Sequence, residues 1–162
     1  MPTETEISYL AGIIDGEGYI GIDSSYKRKN KPHNYQVRIG IANTNIKLLN
    51  WVKSIFGGWV GKKGKPKKSN HKQSYEWRLQ AKKAEEIIKM IYPYLIIKKE
   101  QATIALKFRD TFGRTDSVIY IHKKGRFINS FPNPDLIPIR ENLRKELLAL
   151  NQRGTKSDAR QA

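Results

Sequence analysis

Apolar residues along the chain change their spacing several times, and each change marks an element. The run Tyr9-Leu10-Ala11-Gly12-Ile13-Ile14 ends in Asp15-Gly16-Glu17-Gly18 and reads as a short helix, which Thr3 with Glu6, or Thr5, can cap. From there the period is two. Ile20 and Ile22 alternate with Gly21, Asp23 and Ser25, and Val37, Ile39 and Ile41 alternate with Gln36, Arg38 and Gly40. A basic loop over 27–34 separates the two runs, which predicts a hairpin with one oily and one polar face. Asn43-Thr44 can cap a second helix carrying Ile46, Leu49, Val52, Ile55 and Phe56 and stopped by Gly57-Gly58. A second hairpin follows over 59–67 and 73–80. In its last strand Tyr75, Trp77 and Leu79 alternate with Ser74, Glu76 and Arg78, and the oily set is expected to face the helices.

Helical spacing resumes over 82–92 through Ala84, Ile87, Ile88 and Ile91, and ends at Pro93. Another helix is predicted over 99–112, before Gly113, and a last one over 139–151. Residues 117–135 are ambiguous, with Val118-Ile119-Tyr120-Ile121 readable as a short strand, and 151–162 reads as a polar, fraying tail. The order helix, two strands, helix, two strands, helix belongs to the α+β class: a four-stranded antiparallel sheet backed by helices. A chain of 162 residues can build one domain with a real core but hardly two. We expect a single domain over 1–150, with its core at 5–112 and a helical C-terminal part at 113–150.

Gly12 and Gly16 share one face of the first helix, where glycine lets another backbone approach closely. Each costs a helix about 1 kcal/mol against alanine. A seam of two therefore marks a contact element that delivers the acids behind it to the bottom of a cleft. A carboxylate so placed is a natural ligand for Mg²⁺, which takes carboxylate oxygen and keeps water.

Charge sharpens the picture. The net charge is +16, from 31 Lys and Arg against 15 Asp and Glu, and it is unevenly spread. Residues 1–26 hold five acids and no Lys or Arg, whereas 27–83 hold sixteen basic residues and one acid, Glu76. An acidic centre beside a strongly basic surface fits a metal-dependent enzyme acting on a polyanion, with nucleic acid the expected partner. A membrane surface is disfavoured, because the basic stretch reads as strands and loops and no run of eighteen apolar residues exists. Without cysteine there is no disulfide framework, and no basic region precedes a signal core, so an intracellular location is expected, in a prokaryotic cytoplasm or inside an organelle. His33, His71 and His122 are scattered and lack zinc spacing.

The nine positions from Leu10 to Gly18 match the pattern Leu-Ala-Gly-hydrophobic-hydrophobic-Asp-Gly-acid-Gly, with Glu17 as the acid. In this the chain resembles the LAGLIDADG homing endonucleases. The stretch Pro93-Tyr94-Leu95-Ile96-Ile97-Lys98-Lys99-Glu100-Gln101-Ala102 resembles that family's Pro-aromatic-Leu-x-x-Lys-x-x-Gln-Ala segment. For residues 1–112 the resemblance implies the αββαββα fold, its sheet curved into a saddle whose polar face lies in the DNA major groove. A two-stranded ribbon fits that groove on geometry alone. No correspondence is drawn beyond residue 115.

Glu17 is the expected metal ligand, with the backbone carbonyl of Gly16 as a second contributor and Mg²⁺ as the cofactor, for which Mn²⁺ should substitute. The resemblance gives Asp15 a supporting role among the catalytic residues; a purely structural role at the helix end is the alternative. It places Lys98 in the active site, steering phosphate or water. Its polar and basic slots after the second strand fall on Asn43 and Lys47, where family members often carry glutamine and arginine. Asn43 could serve as a helix cap at the same time, and Lys47 could be an exposed helix lysine. No second motif copy exists, since 109–113 lacks the pattern. One copy supplies one such acid, but breaking a duplex takes two cuts. The economical solution is a homodimer in which Leu10, Gly12, Ile13 and Gly16 pack against their copies and two Glu17 side chains meet near the two-fold axis, on a pseudo-palindromic target. The family's single-motif members are homodimers of this sort.

DNA contacts are expected from outward strand positions: Asp23, Ser25 and Lys27; Gln36 and Arg38; Lys62, Lys63 and Lys65; Glu76 and Arg78. Arg38 and Arg78 suit guanine, Gln36 adenine and Glu76 cytosine. Lys29, Lys31, Lys67, Lys68 and Lys72 are expected on phosphates, where they add affinity without reading sequence. A one-residue slip of the second hairpin would exchange its faces. The expected function is site-specific, Mg²⁺-dependent cleavage of both DNA strands with a stagger, at an intron insertion site. Rival readings are a splicing maturase with intron RNA as partner, a non-catalytic DNA-binding regulator on the same fold, and a ribosomal-type RNA binder.

Overall fold

Thr3 opens the first helix, α1 (Glu4–Glu17), with a reciprocal cap: its hydroxyl accepts the Glu6 N–H while the Glu6 carboxylate accepts the Thr3 N–H. The computed structural model describes residues 1–25, 34–64, 72–113 and 118–152. After α1 come β1 (Gly18–Ser25), β2 (Asn34–Asn43), α2 (Ile46–Phe56), β3 (Trp59–Lys62), β4 (Tyr75–Gln80) and α3 (Ala81–Ile91). A short 3₁₀ turn at Tyr92–Tyr94 leads into α4 (Lys99–Gly113), β5 (Val118–Lys123), β6 (Arg126–Pro132) and α5 (Leu136–Asn151).

The four strands β1-β2-β4-β3 form one antiparallel sheet. The alternation expected from sequence sorts its two faces. Ile20, Ile22, Val37, Ile39, Ile41, Trp77 and Leu79 are buried in the core, where they meet Leu10, Ala11 and Ile14 of α1 and Leu49 and Val52 of α2. Across the sheet Gly40 pairs with Arg78 and Ala42 with Glu76, so Glu76 and Arg78 take the outer face without a slip. Lys62 departs from expectation. It pairs with Tyr75 and so has the parity of the helix-covered face; the outward basic residue at that end is Lys63.

Four further points refine or change the expectation. Within the stretch ambiguous in sequence, the short strand read at 118–121 lies in β5, and β5 pairs with β6 in a hairpin, a separate two-stranded sheet. The α2 cap is Asn45, whose side chain accepts the N–H groups of Lys47 and Leu48 at 3.1 and 3.4 Å, and not Asn43-Thr44. The last helix begins three residues earlier than predicted and belongs to the main core. Leu147 is fully buried there, and Arg140, almost fully buried, donates to the hydroxyl and carbonyl of Thr111 and lies 4.0 Å over the Phe112 ring. Asn151 is not part of a fraying tail, because its amide donates to the Ile20 carbonyl of β1 at 2.9 Å. No helix among the described residues is long and apolar enough to cross a membrane.

Candidate active site and the nucleic-acid face

Helix α1 ends where the sheet begins. The Gly18 N–H caps the helix on the carbonyls of Ile13 and Ile14, and a Cβ at Gly18 would lie 2.6 Å from the Ile14 Cα. Only glycine lets β1 leave the helix so closely, and this turn sets Glu17 at the junction. Glu17 is exposed, and its Oε2 accepts a hydrogen bond from the Asn43 amide at the end of β2. Asn43 also accepts the Asn45 N–H at 2.7 Å, so one side chain ties the start of α2 to the acid.

Behind Glu17 lies a second tie. Asp15 is 9% exposed, and its two carboxylate oxygens accept the backbone N–H groups of Ile96 and Lys98 at 2.7 and 2.9 Å. The Lys98 ammonium donates back to the Asp15 carbonyl. Asp15 therefore clamps the segment that leads into α4 and, with both oxygens taken, positions Lys98. Burial pushes the Lys98 ammonium below the ordinary lysine range, partly opposed by the charge of Asp15.

These groups border a cleft of about 740 Å³, lined by Gly16, Glu17, Gly18, Tyr19, Ala42, Lys63, Ile97, Lys98, Gln101 and the end of α5. Lys47 stands apart from it. It is exposed in the first turn of α2, and its side chain makes no hydrogen bond or ion pair among the described residues. Tyr19, Lys63, Gln101 and Asn151 are cleft-lining residues to which sequence assigned no part in the catalytic site. Gln101 lies in the first turn of α4, three residues after Lys98 and within the segment that carries the family resemblance, which is the signal the sequence holds for it.

No cluster of three His, Cys, Asp or Glu side chains able to hold a metal ion exists among the described residues. One chain therefore offers the Glu17 carboxylate together with the carbonyl-rich end of α1, which carries partial negative charge and has no basic residue in its last turn. That donor set suits Mg²⁺, which needs only one or two carboxylates when waters and substrate phosphates complete its shell.

Along α1, Gly12 and Gly16 are exposed, and a Cβ at either would meet nothing within 4 Å. They floor a groove of about 520 Å³ that runs through Ser8, Tyr9, Ile13 and Leu48 to Glu17. Tyr9, 53% exposed, walls it with its ring edge-on to Trp51 at 5.1 Å. Ile13 is shared between this groove and the core. Leu10 is not: it is 0% exposed, on the opposite side of α1 and packed under the sheet, so it cannot touch a second copy.

The outer face of the sheet carries the expected readers, already paired with one another. Arg38 meets Asp23 at 3.1 Å, and Glu76 lies 3.8 Å from Lys63 and 3.7 Å from Arg78. Gln36 pairs with Asp23 across β1 and β2, and Ser25 closes β1 opposite Asn34. Lys72 is exposed. Lys27, Lys29, Lys31, Lys65, Lys67 and Lys68 lie outside the described residues.

A family model described as LAGLIDADG endonuclease matches residues 10–112, which span both the glycine-seamed helix and the Lys98 segment. The chain belongs to the LAGLIDADG endonuclease family. Solved LAGLIDADG structures share its fold. The homing endonuclease I-CvuI, in complex with its target in the presence of Ca, matches with a TM-score of 0.67 and 19% identity over 94% of this chain and 85% of that one. The archaeal intron-encoded homing endonuclease I-Vdi141I, complexed with DNA, gives 0.66 and 16% identity over 94% and 87%. The group I intron-encoded I-CeuI, also complexed with DNA, gives 0.55 and 14% over 70% and 57%. Comparison with curated protein sequences finds none that matches. Among LAGLIDADG proteins, then, this one is recognised by its family pattern and its fold, at low overall identity.

Proposed function

We propose that this LAGLIDADG protein is a homodimeric, Mg²⁺-dependent, site-specific DNA endonuclease that makes a staggered double-strand break in a long pseudo-palindromic target. One observation carries the reading: a lone exposed carboxylate, Glu17, stands where an open glycine-floored groove meets a lysine-bearing cleft. A second copy seated in that groove would bring two Glu17 side chains and two clefts together about one axis, one for each strand. The structural relatives I-CvuI and I-Vdi141I are complexed with DNA, which supports duplex DNA as the partner.

In this reading Glu17 binds the cation and Asn43 holds the carboxylate in place. Lys98 puts positive charge beside the scissile phosphate, and its half-buried ammonium, fixed by Asp15, needs little reorganisation when charge develops there. Held by Glu17 and the carbonyl end of α1, Mg²⁺ would supply Lewis-acid stabilisation of the phosphate oxygens and would lower the pKa of a bound water. Arg38, Arg78, Gln36 and Glu76 read base edges from the sheet, and the loop lysines hold the backbone.

The test is to incubate the protein with its host's intronless insertion-site duplex in Mg²⁺ and, separately, in Ca²⁺, and to weigh the Ca²⁺ complex by light scattering. The expected outcome is a double-strand cut with overhanging ends in Mg²⁺, and two chains per duplex in Ca²⁺. Tight binding without cutting in any divalent ion would remove the endonuclease reading in favour of a regulator. Preference for the intron transcript over its DNA would favour a maturase.

A further inference from the structure

Four outward residues stand in one row across the sheet. Tyr19 of β1 is opposite Gly40 of β2, Gly40 is opposite Arg78 of β4, and Arg78 is opposite Trp59 of β3. The Tyr19 ring lies over Gly40: a Cβ there would sit 2.6 Å from the tyrosine oxygen and 2.7 Å from its Cζ. Lying flat, the side chain crosses β2, and its hydroxyl donates to Glu76 Oε1 on β4 at 3.1 Å. Glu76, whose side chain is 13% exposed, is in turn the anion nearest to both Lys63 and Arg78. The arginine is fixed from its other side by the Trp59 ring at 4.4 Å, while Arg38 and Lys63 stack over Tyr19 at 5.1 and 5.9 Å.

We propose that Tyr19 is a specificity-determining positioning residue: by donating to Glu76 across Gly40, it fixes the carboxylate that aims Arg78 and Lys63 at the base pairs nearest the cut. The inference rests on the sheet being the DNA-reading face. It goes beyond that reading by locating the origin of discrimination in a residue that need not touch a base. The network borders the cleft, because Tyr19 and Lys63 line it and Glu76 pairs with Ala42, the neighbour of Asn43. Arginine and lysine side chains are long and free to rotate. Left unheld on such a face they would follow phosphates, which adds affinity for any sequence. Held between the Glu76 carboxylate at 3.7 Å and an aromatic ring, the Arg78 guanidinium is restricted in orientation, as base-edge recognition requires.

The hydroxyl can be removed while the ring is kept. Full-length wild type, Tyr19→Phe, Glu76→Gln and the double variant are compared by equilibrium binding in Ca²⁺. The probes are the best duplex selected by wild type from a randomised library and a panel of its single-base-pair substitutions. Tyr19→Phe is expected to lose about fivefold or more of its discrimination, the low end for one well-oriented base contact. The loss should fall at a few adjacent base pairs in each half-site, with thermal stability unchanged. Glu76→Gln should lose discrimination at the same positions and gain affinity for unrelated duplex, and the double variant should be no worse than Glu76→Gln alone. A Tyr19→Phe profile superimposable on wild type, a loss spread evenly over all positions, or additive losses would overturn the inference while leaving the endonuclease reading intact. A wild-type protein that selects no duplex would overturn both.

Discussion

Asp15 and Lys98 hold one another in both directions: the Asp15 carboxylate accepts the Lys98 N–H at 2.9 Å, and the Lys98 ammonium donates to the Asp15 carbonyl. The acid of a helix C-terminus thereby fixes the start of a helix 83 residues away in sequence. In Asp15→Asn one oxygen becomes an NH₂ that faces a backbone N–H. Leaving that buried amide unpaired should cost about 1–3 kcal/mol. We expect a lower melting temperature and slower cleavage, with target affinity in Ca²⁺ retained. An unchanged melting temperature would show that the clamp carries no stability.

The open groove over Gly12 and Gly16 makes an unusual demand, namely that a larger side chain should not harm the isolated fold. Gly12→Leu meets empty space in one chain and removes a helix penalty of about 1 kcal/mol. Thermal stability of the monomer should hold or rise, while sedimentation shows loss of the dimer and cleavage disappears. A dimer that survives the leucine would place the interface elsewhere.

Two asparagines two residues apart separate folding from chemistry. Asn45→Ala removes the α2 cap and should cost about 1 kcal/mol, seen in denaturant unfolding, with cleavage largely retained. Asn43→Ala frees the Glu17 carboxylate and should depress cleavage far more than stability. The reverse pattern would reassign the two roles.

Away from the site, Glu85 accepts from Lys89 at 2.7 Å and from Arg109 at 2.8 Å, and these bonds hold its carboxyl below the usual glutamate range. A depressed carboxyl stabilises the fold above its unfolded value of 4.5, and that contribution fades as pH falls through the lower folded value. Melting curves of wild type and Glu85→Gln should therefore differ at neutral pH and converge in acid. Parallel curves at every pH would contradict the linkage.

Much of this architecture could be read from residue order, for physical reasons that also explain what could not. A half-buried strand writes its burial directly as period two, so Ile20, Ile22, Val37, Ile39 and Ile41 declared their face in advance. Sequence does not single out the α2 cap, because Asn43, Thr44 and Asn45 can all cap a helix and only the turn geometry chooses Asn45. The motif groups Leu10 with the glycine seam, but a residue two before Gly12 on a helix points to another side, and Leu10 is buried in the core. Two matched segments point to Glu17 and Lys98 as candidates, but the ties of Glu17 to Asn43 and of Lys98 to Asp15 depend on elements that meet only in the folded chain. The same holds for Tyr19, whose role arises from a register that lays it over Gly40.

The most direct test of the account is a comparison of wild type with Glu17→Gln on the same insertion-site duplex, with binding measured in Ca²⁺ and cleavage in Mg²⁺. The variant keeps the shape of the side chain and, through its oxygen, an acceptor for Asn43, while removing the charge that would hold the cation. The account predicts binding at wild-type strength and no cleavage of either strand. Cleavage that survives the substitution would contradict the central assignment of Glu17.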